Sequence, residues 1–221
     1  MIDWFSKMYA QLQIKLLIIF RPTVLFEKIN QLDWYKSTLH QWVDDQCFPS
    51  NSKVLEVGCA TGALTTYIAS TGCVPTGVDL SIDMIGVAKH KNTDIEYFEA
   101  DVMNLPFKDN SFDVVLATSL INIVDDKTKA ISELSRTCKK GGLITILVPS
   151  VGFEDKDLLS LQSSVCSSGF SAVALKAWHE NPPKMEASDI EDLYRQAGLS
   201  EITTKYYLQG MVISASAIKP L

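Results

Sequence analysis

Three acidic residues lie in or just after short predicted strands, where their carboxylates could bind a polar ligand. Glu56 lies within the run Val54–Val57, Asp79 follows the run that begins at Cys73, and Asp101 follows Ile95–Ala100. Carboxylates at the ends of neighbouring parallel strands meet at one edge of a sheet, where they can accept hydrogen bonds from hydroxyl or amino groups. The spacing therefore predicts one polar binding site built from several strand ends.

A loop of small residues, Gly58-Cys59-Ala60-Thr61-Gly62, stands between a predicted strand and a predicted helix. Glycine allows positive φ and close approach of the backbone to a ligand. A strand that enters such a turn and then a helix is typical of the nucleotide-binding corner of a doubly wound sheet, although an ordinary strand-to-helix turn is the alternative. Asp79 follows Gly62 by seventeen residues, a distance at which an acid can accept both ribose hydroxyls. Its alternative role is an N-cap for the helix that begins near Ser81.

Two further segments complete the pattern. Ile95–Val102 predicts a third strand that ends in an acid, and Leu105-Pro106-Phe107 leads through Asn110–Leu116 into a fourth strand. Together with the glycine loop, these segments closely resemble the class I S-adenosylmethionine-dependent methyltransferases. The nearest branch is the small-molecule one, which includes the type 11 and the ubiquinone and menaquinone methyltransferases. The resemblance is firm over residues 50–150 and covers the C-terminal strands in pattern only.

The charge near the loop favours S-adenosylmethionine over a dinucleotide. A pyrophosphate binds best to bare amides at a helix N-terminus, and Glu56 would repel it. A ligand with a sulfonium and an ammonium group suits that acid better. The position of the third glycine in a dinucleotide fingerprint holds Ala63. NAD is therefore disfavoured.

The resemblance implies a set of cofactor-binding residues. The glycine loop holds the methionine part of the cofactor, with Ala60 where the family usually has glycine. Leu80 and Met84 pack on the adenine unless they belong to the core, and Asp101 accepts the adenine amino group unless it caps a helix. Thr118 and Ser119 touch the cofactor at the end of the fourth strand. The full set is Glu56, Gly58, Cys59, Ala60, Gly62, Asp79, Leu80, Met84, Asp101, Val102, Thr118 and Ser119.

Methyl transfer from a sulfonium is an in-line displacement, so positioning and desolvation can supply most of the acceleration. A general base matters only if the acceptor must lose a proton. His179 and His40 are weak candidates for such a base, since either histidine is more readily explained as a surface or core residue. Asn122 is a third weak candidate, at a position where relatives in this branch often carry histidine.

The acceptor pocket is expected to come from the N-terminal helices and the 151–187 insertion. Their aromatic residues predict a small apolar or amphipathic acceptor, with core packing as the alternative: Trp34, Tyr35 and Trp178. Residues 1–20 predict an amphipathic helix. We expect a lid over the cavity, with a membrane-surface or partner-binding helix as the alternatives.

Composition sets limits on function. The chain has 221 residues, 47% of them apolar, enough for one well-buried domain. A net charge of −6 without a basic stripe argues against a nucleic-acid partner. Five cysteines without a CxxC pair and three isolated histidines predict neither a disulfide framework nor a metal site, and favour the cytoplasm. The best candidate for a membrane span, Leu16–Phe20, has five residues where roughly twenty are required.

The predicted elements alternate between strand and helix, which indicates an α/β fold. It is a doubly wound, mostly parallel seven-stranded sheet with helices on both faces, an N-terminal helical lid and a C-terminal antiparallel hairpin. Other expected features are one helical stretch from Thr23 to Asp44, a helix stop at Lys139–Gly142, an irregular stretch from Pro149 to Met185, and a capping box at Ser188. We expect one domain, 1–221, divided as 1–48 lid, 49–150 cofactor-binding core, 151–187 insertion and 188–221 C-terminal helix and hairpin.

The sequence thus predicts an S-adenosylmethionine-dependent methyltransferase that acts on a small molecule at O, N, S or C. A non-catalytic cofactor-binding regulator or scaffold is the rival, because acceptor-site residues are not recognisable. A protein or RNA methyltransferase is disfavoured by the acidic pI of about 5.1. The acceptor and the oligomeric state stay open.

Overall fold

A computed structural model describes residues 12, 14, 16, 17, 19–165 and 169–221. The predicted helix over residues 1–20 therefore lies mostly outside the described residues. The six of its residues that are described are all helical: Leu12, Ile14, Leu16, Leu17, Ile19 and Phe20. Among the described residues, no helix is long and apolar enough to cross a membrane.

A seven-stranded sheet forms the centre of the structure, in the order β3-β2-β1-β4-β5-β7-β6. Strands β1 to β5 are parallel, and β7 pairs antiparallel with both β5 and β6. This arrangement confirms the predicted mostly parallel sheet with a closing antiparallel pair. The strands are β1 Lys53–Val57, β2 Val74–Asp79, β3 Glu96–Glu99, β4 Phe112–Thr118, β5 Cys138–Pro149, β6 Ser200–Tyr207 and β7 Val212–Ile218.

Helices cover both faces of this sheet, as predicted. Side chains of α5 and α8 share one apolar cluster with β1, β4, β5 and β7. Side chains of α2 and α3 share a second cluster with the same sheet, and α4 packs against β2 and β3. The helices are α1 Pro22–Asn30, α2 Asp33–Asp45, α3 Ala63–Ser70, α4 Ile82–Lys91, α5 Lys127–Thr137, α6 Asp155–Ser164, α7 Phe170–Glu180 and α8 Ala187–Gln196, with a 3₁₀ turn at Leu208–Gly210.

The strand registers bring the predicted site residues to one edge. Val57 pairs with Val78 on one side and with Ala117 on the other. Asp79 pairs with Glu99 at the next strand. Because these strands are parallel, the segments that leave their carboxyl ends lie side by side.

Two predictions about the helical regions were wrong. The stretch from Thr23 to Asp44 is two helices, because Leu32 is extended (ψ 123°) and packs partly buried against a cluster formed with α6 and α7. The stretch from Pro149 to Met185 is not irregular, since it contains α6 and α7. Its apolar positions, such as Leu158 and Leu161, are buried in a cluster that includes Trp34. This tertiary packing stabilises the two helices, which the local sequence favours only weakly.

Two predicted signals for helix ends were also wrong, although α5 does end at Thr137, two residues before the predicted stop. Lys139–Gly142 lies within β5, where a bulge sets Cys138 and Leu143 opposite Phe112 and Val114. There is no room for a side chain at Gly142, whose added Cβ would lie 2.7 Å from the Asp113 carbonyl oxygen.

The capping box at Ser188 is absent because α8 begins earlier, at Ala187 after Glu186. The preceding residue, Met185, is tied to β5 by its N–H bond to the Pro149 carbonyl oxygen (2.9 Å). This tie fixes the point at which the helix can begin, and Ser188 lies inside it.

Candidate active site

A cavity of about 360 Å³ opens at the carboxyl edge of the sheet, within the size range of small-molecule sites. Ten of the twelve predicted cofactor residues line it, and Gly62 and Met84 do not. The residues that line the cavity are Phe26, Asn30, Tyr35, Leu39, Glu56, Val57, Gly58, Cys59, Ala60, Ala63, Leu64, Asp79, Leu80, Ala100, Asp101, Val102, Thr118, Ser119, Leu120, Ile123 and Val124.

The glycine loop forms the floor of this cavity. Gly58 has φ +80° and Gly62 φ +76°, a region that favours glycine, and Ala60 also has positive φ (+45°). An added Cβ at Gly62 would lie 2.6 Å from the Tyr97 hydroxyl, and one at Gly58 would lie 3.3 Å from Leu120 Cδ2. Gly62 therefore shapes the loop by close packing at the start of α3, without lining the cavity.

Glu56 is a buried carboxylate at the end of β1, with 3% of its surface exposed. Its Oε2 accepts a hydrogen bond from Thr65 Oγ1 at 2.5 Å. No lysine or arginine in the described part of the chain forms an ion pair with it. Burial raises its pKa to about 8, the Thr65 bond opposes that shift, and the charge of Asp79 adds to it. A cation in the cavity would stabilise the ionised form of Glu56.

Asp79 lies at the end of β2, and both of its carboxylate oxygens accept backbone bonds. Oδ2 accepts from the Ala60 N–H at 2.8 Å, and Oδ1 accepts from the Ser81 N–H at 2.9 Å. Ser81, rather than Asp79, caps α4, because its hydroxyl accepts from the Met84 N–H. A carboxylate has about four acceptor sites, so Asp79 is held in place with capacity for two ligand hydroxyls.

The segment after β3 forms the wall next to Asp79. Asp101 is exposed, and its Oδ1 accepts from the Met103 N–H at 2.9 Å, while Val102 is buried. Leu80 projects at the rim with 71% of its surface exposed. Met84 is buried at 6% exposure and does not line the cavity, so its alternative role in the core is the one observed.

Thr118 and Ser119 end β4, and their hydroxyl oxygens are buried with no hydrogen-bond partner among the described residues. Ser119 also has positive φ (+50°). A buried hydroxyl without a partner costs free energy unless another group satisfies it. Both side chains are therefore placed to bind polar groups of a ligand.

Apolar and aromatic side chains from α1, α2 and the 120–124 segment form the opposite wall. Of the predicted acceptor residues, only Tyr35 lines the cavity, and burial, followed by the charge of Glu56, raises the pKa of its hydroxyl. Trp34 and Trp178 stack behind it at a centroid distance of 5.7 Å, and Trp178 meets Tyr35 edge-on at 5.1 Å. The two tryptophans thus support Tyr35 without reaching the cavity.

None of the three weak candidates for a general base lines the cavity. His40 stacks on Tyr67 at a centroid distance of 3.4 Å. His179 is buried, with its Nδ1 3.2 Å from Lys184 Nζ and its pKa lowered by burial. Asn122 is buried and donates to the Pro183 carbonyl oxygen at 3.0 Å.

The sequence predicted that the N-terminal helices border this site but pointed to no residue of α1. Asn30 lines the cavity and donates from Nδ2 to Thr61 Oγ1 in the glycine loop at 3.2 Å. Glu27 pairs with Lys91 of α4, so α1 is fastened both to the glycine loop and to α4. No local signal links these residues, since Asn30 and Thr61 are 31 positions apart in the chain.

Sequence reasoning also missed these residues of the apolar wall, because their side chains could equally belong to a hydrophobic core: Phe26, Leu39, Leu120, Ile123 and Val124.

No group of three or more histidine, cysteine, aspartate or glutamate residues in the described ranges could hold a metal ion.

Comparison with known proteins gives the chain a family. Residues 55–146 match the family model of a methyltransferase domain. A demethylmenaquinone methyltransferase of Staphylococcus aureus is 40% identical over 135 residues, which cover 57% of this chain and 56% of that protein. One of Corynebacterium efficiens is 30% identical over 186 residues, which cover 76% of each chain. The chain thus spans little more than half of the first relative and about three quarters of the second.

Solved structures share the fold. A methyltransferase of Thermotoga maritima superposes with a TM-score of 0.65 at 22% identity, covering 88% of this chain and 94% of that one. Phosphoethanolamine N-methyltransferase 2 of Haemonchus contortus, solved with S-adenosyl-L-methionine, gives a TM-score of 0.67 at 17% identity over 94% of this chain and 60% of that one. With the family match, the strand order and the glycine loop, these findings show that the chain belongs to the class I S-adenosylmethionine-dependent methyltransferases.

Proposed function

We propose that this protein transfers a methyl group from S-adenosylmethionine to a small, apolar or amphipathic acceptor. The observation that carries the proposal is the composition of one cavity. Glu56, Asp79 and Asp101 line one side, and Phe26 and Ile123 belong to an apolar wall on the other. A polar cofactor and an apolar acceptor can therefore meet inside the same volume.

The polar side fits the groups of the cofactor. Glu56 is buried without an ion-pair partner in the described chain and suits the ammonium group. Asp79 keeps acceptor capacity for the ribose hydroxyls, and Asp101 and the Val102 amide would bind the adenine ring. The unpartnered hydroxyls of Thr118 and Ser119 would satisfy further polar groups of the cofactor or the acceptor.

S-adenosylmethionine supplies an electrophilic methyl group on a sulfonium that is already a good leaving group. The protein's contribution is to hold the acceptor in line and to exclude water. No histidine among the described residues lines the cavity. For an acceptor that loses a proton, a general base would therefore have to be another lining group, such as Tyr35 or a carboxylate.

The names of the relatives suggest the first acceptor to test. Both are demethylmenaquinone methyltransferases. A soluble short-chain demethylmenaquinone analogue, chemically reduced to the quinol so that its ring carbon is nucleophilic, should lead a panel that also contains phenols, amines and thiols of similar size.

The test is release of S-adenosylhomocysteine with each acceptor, measured against a reaction without acceptor. Acceptor-dependent release that is strongly reduced at limiting cofactor in Asp79→Ala and retained in Asp83→Ala would support the proposal, because Asp83 is exposed and does not line the cavity. Tight cofactor binding without turnover on any acceptor would favour the non-catalytic rival.

A further inference from the structure

Arg136, in the last turn of α5, holds the segment that follows β3. Its Nε and Nη2 donate to the two carboxylate oxygens of Glu133, each at 2.8 Å. Its Nη2 also donates to the Leu105 carbonyl oxygen at 2.9 Å, and its Nη1 to that of Phe107 at 2.7 Å. A further bond from Nη1 reaches Asp109 Oδ1 at 2.9 Å. One guanidinium therefore ties three residues of the 105–109 segment to α5.

Glu133 completes this link from the other side. It is buried, and its Oε2 accepts from the Leu105 N–H at 2.9 Å. Both backbone polar groups of Leu105 are thus held by the Glu133–Arg136 pair. The guanidinium bond is also the first cause of the lowered pKa of Glu133.

A short, tightly bonded turn connects Leu105 to the cavity. Asp101 Oδ1 accepts from the Met103 N–H, and the Asp101 carbonyl oxygen accepts from the Asn104 N–H, each at 2.9 Å. Asp101 and Val102 line the cavity, whereas Glu133 and Arg136 do not. A displacement of Leu105 would therefore also displace Asp101 and Val102.

We propose that Arg136, through Glu133 and Leu105, is a positioning residue that sets the enzyme's selectivity for adenine in the cofactor. This inference rests on the adenine-binding roles proposed above for Asp101 and Val102. A carboxylate beside the adenine amino group and an amide beside a ring nitrogen reject hypoxanthine, which presents an oxygen and an N–H at those positions. That rejection depends on how well both protein groups are placed.

The geometry requires arginine rather than any cation. The guanidinium serves the Glu133 carboxylate with two parallel bonds and still directs donors to two carbonyl oxygens. A lysine ammonium has three donors and no planar fork, so it cannot make the same set. Arg136→Lys thus keeps the positive charge but removes the set of hydrogen bonds that positions the segment around Leu105.

The experiment compares S-adenosylhomocysteine with its hypoxanthine analogue, S-inosylhomocysteine, by calorimetry. Arg136→Lys should lower the affinity for S-adenosylhomocysteine about tenfold, the factor expected for one charge-assisted contact that is no longer well placed. The same substitution should change the affinity for the hypoxanthine analogue less than about threefold, since that ligand does not use the contact. The ratio of the two affinities should therefore fall.

Arg195→Lys is the matched control. Arg195 forms the same type of helical pairs, with Glu191 and Asp192 on α8, and donates to no loop carbonyl among the described residues. It should leave both affinities unchanged. Asp101→Asn should lower the ratio by itself, and adding Arg136→Lys to it should lower the ratio little further.

Equal weakening of both ligands by Arg136→Lys, or no weakening, would overturn the inference. If that variant does not fold, Glu133→Gln keeps the side-chain volume and weakens the same link, and the same ratio decides. Failure of the unmodified protein to bind S-adenosylhomocysteine would instead reject the cofactor site itself.

Discussion

The two walls of the cavity are built in different ways. The acidic wall carries Glu56, Asp79 and Asp101, and the aromatic wall is the apolar wall to which Phe26 and Tyr35 belong. The acidic wall comes from consecutive strand ends of one sheet, and its residues lie within 56–119. The aromatic wall is supported by residues distant in sequence, since Tyr35 of α2 contacts Trp178 of α7. The acidic wall is fixed by backbone hydrogen bonds, such as Ala60 N–H to Asp79, and the aromatic wall by side-chain packing. Substitutions in the acidic wall should therefore change binding, and those in the aromatic wall should first change stability.

Trp34→Ala should give the largest effect and would test the aromatic wall. Trp34 is 6% exposed, stacks on Trp178 and donates from Nε1 to Ser171 Oγ at 2.9 Å. Its removal leaves a cavity and an unpaired hydroxyl, so the free energy of unfolding should fall by about 3–5 kcal/mol. Urea denaturation measures the loss, with Trp34→Phe as the milder control. At a temperature where the variant stays folded, a change in cofactor affinity above twofold would break the distinction between the walls.

Asp79→Ala should give the second largest effect and would test the acidic wall. It removes the carboxylate proposed to bind both ribose hydroxyls, so cofactor affinity should fall by about 2 kcal/mol, or roughly 30-fold. Calorimetry with S-adenosylhomocysteine measures the change. Asp83→Ala, on the first turn of the adjacent α4, should leave affinity unaltered. Equal affinities in the two variants would remove Asp79 from the site.

Glu56 should make cofactor binding depend on pH. Because its pKa is raised to about 8, the carboxyl group is mostly protonated at pH 6 and must lose that proton to pair with an ammonium group. Affinity for S-adenosylhomocysteine should therefore rise as pH rises toward 8, by about tenfold, or 1.4 kcal/mol, between pH 6 and 7. Glu56→Gln should bind more weakly and show no such rise. A flat profile in the unmodified protein would contradict this role for Glu56.

His40→Gln should have the smallest effect. The His40 ring stacks on Tyr67 outside the cavity, so kcat/KM should stay within about twofold and the free energy of unfolding within about 0.5 kcal/mol. Initial rates across pH 6 to 9 provide the measurement. Loss of a titration step from the rate profile would restore His40 as a general base.

The edge of the sheet that carries the proposed cofactor residues was largely predictable because its signals are local. A strand, a turn that requires positive φ at Gly58 and Gly62, and an acid at the next strand end are each encoded within about ten residues. The connection rules for parallel strands then bring these segments to one edge. The prediction failed at Met84, which faces the core, because a helix pattern does not tell which of two neighbouring apolar surfaces a side chain covers.

The helical regions outside the sheet were less predictable because their stability comes from partners far away in the chain. The break at Leu32 and the helices α6 and α7 depend on a shared cluster with Trp34. A local signal does mark the start of α6, a capping box formed by Glu154 and Asp157, which was not identified from the sequence. The capping box at Ser188 is such a local signal, and the tie between Met185 and Pro149 overrode it.

By itself, the sequence determined the family of this protein, the succession of strands and helices along the chain and the acids at the strand ends. These features follow from local backbone geometry and alternating hydrophobicity, which a linear pattern carries. Only the tertiary structure decided that Tyr35 lines the cavity while Trp34 and Trp178 stand behind it, and that Arg136 reaches the segment that carries Asp101. Those relations depend on which side chains meet across long loops of chain, and that is set by the packing of the whole molecule.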